Sequence, residues 1–235
     1  MLRSLIINQK IEPFKKIIKV DGDKSLSIRW VLLASQALGI SKAYNLLMSE
    51  DVSAALEAIK KLGIKVKINK SNCEIVGNGI NGFKYKKNLT IDAKNSGTLG
   101  RLILGLLIKS PKKIKVIGDK SLSKRDFSRV TIPLEKFGVK FSYKIKNKLP
   151  LTILGTQSAK GIKYLENKGS AQCKSSVMLA ALNASGTTSI KAKKSRNHTE
   201  LLFKYLKIPI KVRKTKKFDF IDIKKPKKIN AFNYQ

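Results

Sequence analysis

Cysteine, histidine, acidic residues and long apolar runs are scarce in this sequence of 235 residues, and each scarcity excludes a class of protein. The two cysteines, Cys73 and Cys173, lie far apart, which argues against a disulfide framework and favours a reducing cytoplasm. The single histidine, His198, has no acidic orienter and no metal-ligand spacing, so we expect a structural role for it. No apolar run is long enough to span a bilayer, and residues 1–20 lack the apolar core of a signal peptide. We therefore predict a cytoplasmic protein without membrane association, metal or cofactor.

Positive charge is abundant, with 50 Lys and Arg against 15 Asp and Glu, a formal net charge of +35 that points first to nucleic acid. However, 43 of the basic residues are lysines scattered along the chain, and only seven are arginines. Arginine offers a rigid fork for phosphate and carboxylate, whereas lysine is a mobile point charge. We therefore interpret the lysines as a solvated surface and the arginines as markers of sites. Five arginines lie in or beside the motifs described below: Arg29, Arg101, Arg125, Arg129 and Arg196.

Residues 22–29 combine a lysine, two serines and an arginine directly before an apolar run at residues 30–38. The first N–H groups of a helix lack internal partners and carry partial positive charge, so such a start favours an anion. We expect Ser25 to cap this helix and Lys24 and Arg29 to add full charges beside it. An ordinary capped helix with solvated basic residues is the alternative that this segment alone leaves open.

A pattern with a period of roughly 70–75 residues occurs three times, and each unit reads strand, helix, strand, helix, strand, strand. The first helix of each unit is apolar nearly all round, which indicates a buried helix. The sequence therefore predicts a mixed α/β (α+β) fold of three βαβαββ units, with parallel helices buried inside and sheets outside. The polar N-termini of the three helices would emerge together at one end. In the first unit we expect strands at 4–8 and 16–20, a helix ending at Gly39 and a strand at 43–47.

Six motifs occur in order over nearly the whole chain. They are Gly22-Asp23-Lys24-Ser25-x-Ser27-x-Arg29, Asn95-Ser96-Gly97-Thr98-x-x-Arg101, Gly118-Asp119-x-Ser121-Leu122-x-Lys124-Arg125, Leu149-Pro150-Leu151, Ser170-Ala171-Gln172-x-Lys174-Ser175 and Ser195-Arg196-x-His198-Thr199-Glu200. Together they resemble the 5-enolpyruvylshikimate-3-phosphate (EPSP) synthase family. The UDP-N-acetylglucosamine enolpyruvyl transferases share that family's fold, but they have asparagine in place of Ser25 and a reactive loop cysteine. They therefore rank second.

The resemblance implies a transferase of the shikimate pathway, which leads to chorismate and the aromatic amino acids. Such enzymes transfer the enolpyruvyl group of phosphoenolpyruvate to the 5-hydroxyl of shikimate 3-phosphate and release phosphate. It also implies two sets of binding residues and no catalytic residue in this part of the family's chain. For shikimate 3-phosphate they are Lys24, Ser25, Arg29, Ser170, Ala171, Gln172, Ser195 and Arg196. For phosphoenolpyruvate they are Lys24, Asn95, Gly97, Arg125 and Gln172.

The sequence departs from the family at Asp126, where proline is usual, and at Asn197, where aspartate is usual. We expect the Asp126 carboxylate to compete with the substrate anion for Arg125. Gly97 lacks a side chain, so it should also leave room for an inhibitor shaped like phosphoenolpyruvate, such as glyphosate.

The family's chain is longer and forms two similar domains that close on the substrates. By this comparison residues 1–20 would belong partly with the second domain, 21–230 would form a three-unit domain, and 231–235 would begin the crossover. The sequence would then be a fragment, a truncated product or one part of a split enzyme that a C-terminal half complements. We expect such a chain to bind shikimate 3-phosphate weakly and to turn over nothing by itself.

Two readings from other classes stay open at this point. A non-enzymatic nucleic-acid binder would explain the net charge, but arginine is scarce and the sequence shows no exposed aromatic platform, so we disfavour it. An inactive paralogue kept as a structural partner would explain Asp126.

Overall fold

The computed structural model describes residues 6, 8–10, 12–13, 15–18 and 20–234. The helices in them are α1 (Lys24–Ser35), α2 (Glu50–Lys61), α3 (Gly97–Leu106, continued by a 3₁₀ turn at Leu107–Lys109), α4 (Lys120–Ser123), α5 (Ser128–Glu135), α6 (Ala171–Ala181) and α7 (His198–Tyr205). The strands are β1 (Leu38–Ala43), β2 (Lys65–Asn69), β3 (Asn72–Asn78), β4 (Leu89–Asp92), β5 (Ile114–Ile117), β6 (Lys140–Tyr143), β7 (Leu151–Leu154), β8 (Lys163–Glu166), β9 (Thr187–Lys193), β10 (Ile210–Lys214), β11 (Phe218–Lys224) and β12 (Asn233–Tyr234). No helix in the described ranges has the length and apolar character that crossing a membrane requires.

The strands form three four-stranded sheets with matching strand arrangements, in the orders β12-β1-β3-β2, β4-β5-β7-β6 and β8-β9-β11-β10. In each sheet the first two strands pair in parallel, and the remaining pairs are antiparallel. The helices α1, α3 and α6 each precede the second strand of their sheet. The predicted βαβαββ order is therefore confirmed in full for the second and third units, and the first unit reaches the same sheet arrangement with β12 in place of a preceding strand.

The core lies between the helices, and the sheets cover it. Helices α1, α3 and α6 are buried along nearly their whole length, as the absence of a polar face predicts. Gly105 of α3 shows how closely the helices approach, because a Cβ atom there would lie 2.1 Å from the carbonyl oxygen of Ser176 in α6. The buried packing of these helices fixes the positions of their N-termini.

The first sheet takes its first strand from the far end of the described chain. Asn233 and Tyr234 of β12 pair with Lys42 and Ala43 of β1. The predicted strand at 4–8 lies mostly outside the described residues. The predicted strand at 16–20 is wrong for its described residues, 16–18 and 20, which form no strand. The edge of β1 beside them is already filled, because residues 229–234 exchange backbone hydrogen bonds with residues 38–44.

The boundary between α1 and β1 also differs from the prediction. The helix ends at Ser35, and β1 begins at Leu38 rather than at residue 43. The strand β3 runs against the helix end so closely that a Cβ atom on Gly77 would lie 2.3 Å from the carbonyl oxygens of Ala34 and Ala37. This approach is a tertiary contact, so the local sequence gave no sign of it. Short elements such as α4, β7 and β8 were missed because four residues carry little periodicity.

Candidate functional site

The N-termini of the three buried helices meet through direct hydrogen bonds. At the start of α6, Gln172 accepts from Nη1 of Arg101 over 3.0 Å and donates to Oγ1 of Thr98 over 3.0 Å, both of which belong to α3. Arg29 of α1 donates from Nη2 to Oγ of Ser175 in α6 over 3.1 Å. The predicted convergence of helix starts is therefore confirmed, and it gathers partial positive charge at one end of the fold.

The start of α1 differs from the prediction in its cap. Asp23, in extended backbone, accepts a hydrogen bond from the backbone N–H of Leu26 over 2.7 Å, so Asp23 rather than Ser25 caps the helix. Ser25 lies inside the first turn, where its carbonyl oxygen accepts from Nη1 of Arg29 over 2.9 Å. The ammonium group of Lys24 lies 3.4 Å from Oδ2 of Asp51 and is half exposed. Lys24 therefore stays at the solvent edge of this helix start.

Arg29 is a buried cation whose hydrogen-bond partners are neutral. It is only 4% exposed, and its Nε donates to Oγ1 of Thr199 over 2.8 Å, in addition to its bonds with Ser25 and Ser175. Burial lowers the pKa of Arg29 to about 10, and the charges of Glu200 and Asp23 offset only part of that effect. A buried charge is normally paired, so this guanidinium is suited to an anionic ligand.

Glu200, the buried carboxylate next to Thr199 in the sequence, pairs with Lys174. Oε1 of Glu200 lies 2.6 Å from the ammonium nitrogen of Lys174, and both side chains are almost fully buried. The distance defines an ion pair, although its angles do not make a hydrogen bond, and Oε2 of Glu200 has no hydrogen-bond partner within the described part of the chain. The cluster of Arg29, Lys174 and Glu200 thus holds two buried cations against one buried carboxylate.

A second positive cluster surrounds Gly97, the first residue of α3. A Cβ atom on Gly97 would lie 2.8 Å from Nη1 of Arg101 and 2.9 Å from Nη1 of Arg125, so two guanidinium groups flank this glycine. Arg101 also stacks on Phe127, with its Cζ 5.1 Å from the ring centroid. Beside them Nδ2 of Asn95 donates to Oδ2 of Asp119 over 2.5 Å. The absence of a side chain at Gly97 lets both guanidinium ends approach the helix start.

Asp126 does not pair with Arg125, contrary to the expected competition. Its carboxylate accepts from the backbone N–H of Ser128 over 2.6 Å and from the hydroxyl of the same residue, at the start of α5. No ion pair joins Asp126 to Arg125, both of which lie in the described part of the chain. The other departure, Asn197, stands at the N-cap of α7 without a side-chain cap bond.

The remaining expected residues lie at the starts of α6 and α7. Ser170 caps α6 by accepting from the backbone N–H of Cys173 over 3.2 Å, and Ala171 and Gln172 begin the helix. In the segment before α7, Oγ of Ser195 is buried without a hydrogen-bond partner among the described residues, and Arg196 is exposed. This segment leads into the helix whose Thr199 accepts a hydrogen bond from Arg29.

His198 is the first residue of α7. Its Nδ1 is buried and has no hydrogen-bond partner in the described ranges. Burial lowers the pKa of His198, and the positive charges of Arg29 and Arg196 lower it further. Cys173 is almost completely buried within α6, where it packs as a small core residue.

Sequence reasoning missed Thr98, Arg101, Thr199 and the Lys174–Glu200 pair as parts of this site. All of them stand within the quoted motifs, so the signal was present, but their partners are distant in sequence. The larger surface grooves lie elsewhere, one of about 690 Å³ across β8–β11 and one of about 600 Å³ beside α2. Charge and hydrogen bonding, rather than cavity size, therefore identify the site.

Residues 8–234 match the family described as EPSP synthase (3-phosphoshikimate 1-carboxyvinyltransferase). The chain belongs to the EPSP synthase family. It is 41% identical over 196 residues to a 3-phosphoshikimate 1-carboxyvinyltransferase of Streptococcus suis (strain 98HAH33), covering 83% of this chain and 46% of the relative. It is 42% identical over 189 residues to the protein of that name from Streptococcus mutans, covering 80% of this chain and 44% of the relative.

Solved structures of the family share the fold. An EPSP synthase from Acinetobacter baumannii superposes with a TM-score of 0.84 at 32% identity and covers 92% of this chain and 48% of its own. A second structure of EPSP synthase from the same organism has the same TM-score and identity and covers 49% of its own chain. The chain therefore spans about half the length of the EPSP synthase relatives that it matches. The family favours the transferase reading over the nucleic-acid binder and over the UDP-N-acetylglucosamine enzymes.

Proposed function

We propose that this chain binds shikimate 3-phosphate and phosphoenolpyruvate for enolpyruvyl transfer to the sugar's 5-hydroxyl with release of phosphate. The observation that carries the proposal is Arg29, a buried guanidinium whose hydrogen-bond partners in the described ranges are all neutral. An anionic ligand would supply the missing counter-charge, and the helix starts around it would add N–H donors.

The shikimate 3-phosphate side of the proposal uses the starts of α1, α6 and α7. Lys24, Ser25 and Arg29 come from α1, and Ser195 and Arg196 come from the segment before α7. Ser170, Ala171 and Gln172 complete the set at the start of α6. The unpartnered hydroxyl of Ser195 supports this assignment, because a buried hydroxyl without a partner is costly unless a ligand bonds to it.

The phosphoenolpyruvate side uses the cluster around Gly97. Arg125 and Gln172 would contact the anion, with Asn95 and Gly97 at its backbone side and Lys24 between the two substrates. Two guanidinium groups beside a helix N-terminus suit a compact anion with both a phosphate and a carboxylate. Holding two anions side by side is the main task in this reaction, since it offsets the entropy of bringing them together.

No acid–base role is assigned to a residue of this chain. The proposal includes a complementing C-terminal half that corresponds to the remaining part of the family's length, because the relatives are about twice as long as the matched region. The boundaries 1–20, 21–230 and 231–235 and the cytoplasmic location are part of the same proposal. The end of the described chain contributes a strand to the first sheet, because β12 pairs in parallel with β1.

Calorimetric titration tests the proposal. Shikimate 3-phosphate should bind the chain more tightly than sulfate does, and phosphoenolpyruvate should bind to the chain saturated with it. Arg125→Gln should weaken phosphoenolpyruvate binding about tenfold or more, because charge-assisted contacts contribute about 1.5–3 kcal/mol. Arg213→Gln is the matched control, because it removes the same charge at the outer face of the third sheet, where Arg213 lies 4.2 Å from the Phe220 ring centroid.

Equal binding of sulfate and shikimate 3-phosphate would contradict the proposal. So would equal loss of phosphoenolpyruvate affinity in the two arginine variants, since this would show a response to net charge alone. Tight RNA binding that falls steeply with salt, without preference for either substrate, would support the nucleic-acid reading instead.

A further inference from the structure

Two buried hydroxyl groups hold the guanidinium of Arg29 from the side opposite to its own helix. Oγ1 of Thr199 in α7 accepts from Nε over 2.8 Å, and Oγ of Ser175 in α6 accepts from Nη2 over 3.1 Å. The two hydroxyls also bond to each other over 2.7 Å. Ser175 and Thr199 are each 1% exposed. Three helices thus meet at one guanidinium.

The choice of hydroxyls rather than carboxylates has an electrostatic consequence. A hydroxyl fixes the direction of a guanidinium without neutralising it, whereas a carboxylate would satisfy its charge. The residues next to the two hydroxyls, Lys174 and Glu200, form their own ion pair 2.6 Å apart. Lys174 therefore neutralises the carboxylate of Glu200, the residue next to Thr199. The arrangement orients Arg29 and leaves its charge available.

We propose that Thr199 and Ser175 are positioning residues that hold the Arg29 guanidinium in its binding direction while keeping it free of a protein counter-ion. The part that concerns a ligand rests on the proposed function. The part that concerns the guanidinium itself does not, and it is tested separately. Neither residue is assigned a contact with substrate.

Nuclear magnetic resonance tests the holding of Arg29 without a ligand. With only seven arginines, the Nε–H resonances of the ¹⁵N-labelled chain are few, and Arg29→Lys identifies the one that belongs to Arg29. Because Arg29 is 4% exposed and its Nε–H is bonded, that proton should exchange slowly with solvent. Thr199→Val should speed its exchange about tenfold or more, and Thr199→Ser should restore slow exchange.

Thr188→Val is the matched control. Thr188 is 1% exposed in β9, and its hydroxyl has no protein partner in the described ranges, so the same chemical change there leaves Arg29 untouched. If Thr199→Val fails to fold by circular dichroism, Ser175→Ala takes its place, with faster exchange of the Arg29 Nη2 protons as the expected result. An Arg29 signal that is unchanged in Thr199→Val, or in its replacement, overturns the proposal.

Binding of shikimate 3-phosphate gives the second readout. Thr199→Val should weaken it about tenfold, whereas Thr199→Ser and Thr188→Val should match the unmodified chain. Unchanged affinity in Thr199→Val, with binding intact in the unmodified chain, overturns the inference and leaves the proposed function standing. Absence of binding in the unmodified chain defeats the proposed function, and the exchange measurement still decides whether the hydroxyls hold Arg29.

Discussion

Arg101 and Gln172 are 71 positions apart in the sequence, and Nη1 of the arginine donates to Oε1 of the glutamine over 3.0 Å. The amide nitrogen of Gln172 donates in turn to Thr98 over 3.0 Å. The side-chain amide is therefore fixed in one orientation by two residues of α3. This bond joins the starts of α3 and α6 and places a neutral group between the two positive clusters.

Replacing Gln172 by glutamate tests the importance of that neutrality. Gln172→Glu keeps the size of the side chain but adds a carboxylate that pairs with Arg101 and repels an incoming anion. We expect phosphoenolpyruvate affinity to fall about tenfold or more, with the unfolding free energy changed by less than about 1 kcal/mol. Gln157→Glu adds the same charge on an exposed loop and is the control. Equal calorimetric affinities in the two variants would show that the position of the charge is unimportant.

Gly97 should not tolerate a side chain without loss of anion binding. In Gly97→Ala the new Cβ atom would lie within 2.9 Å of the Nη1 atoms of Arg101 and Arg125, so both guanidinium ends must move. We expect weaker binding of phosphoenolpyruvate and of its analogue glyphosate, with little change in melting temperature, because flexible side-chain ends can shift.

A matched control for that variant stands one turn further along α3. Gly100→Ala introduces a Cβ atom that makes ordinary contacts, of which the shortest is 3.4 Å to Phe127. Its affinity for phosphoenolpyruvate should equal that of the unmodified chain. A similar loss in both variants would trace the effect to helix α3 as a whole rather than to the two arginines.

Removing one partner of the buried Lys174–Glu200 pair should strongly destabilise the protein. Lys174→Met leaves the Glu200 carboxylate buried without its cation, and such a loss typically costs about 3–5 kcal/mol in unfolding free energy. The double variant with Glu200→Gln should recover most of it. Lys60→Met, in the exposed Lys60–Glu57 pair, should cost less than about 1 kcal/mol. Urea unfolding measures all three, and an additive double variant would contradict coupling between Lys174 and Glu200.

His198 should make stability depend on pH in mildly acidic solution. Burial and the charges of Arg29 and Arg196 lower its pKa below the ordinary value of 6.5. The unfolded chain therefore takes up a proton near pH 6.5 while the folded chain resists it, so the unfolding free energy falls as pH drops below that value. His198→Gln should remove this component. Urea unfolding at pH 7.5 and pH 5.5 tests it, and an identical pH dependence in both proteins would contradict the shift.

Much of the fold was predictable because its signals are local. The apolar stretches at 30–38, 99–108 and 175–182 predicted buried helices, and α1, α3 and α6 are buried as expected. The strands β2 and β3 form a hairpin, and the alternate apolar residues Ile64, Val66 and Ile68 are a local signal for its first strand. The first strand of the first sheet did not follow, because residues 16–20 have the composition of a strand while Phe232, packed 6.4 Å from Trp30 between ring centroids, anchors β12 in that place.

The sequence by itself determined that the chain has buried helices with polar starts and that five of its seven arginines lie in or beside the quoted motifs. Hydrophobic periodicity and the composition of helix N-termini are properties of short segments, so they can be read without a structure. Tertiary structure alone decided that Arg101 contacts Gln172 and that Arg29 contacts Thr199, which lies 170 positions further along the chain. The cap that Asp23 forms with Leu26 and the bond between Asp126 and Ser128 are instead local contacts of exposed side chains. Partner choice among buried polar groups depends on which helices pack together, and no local pattern specifies it.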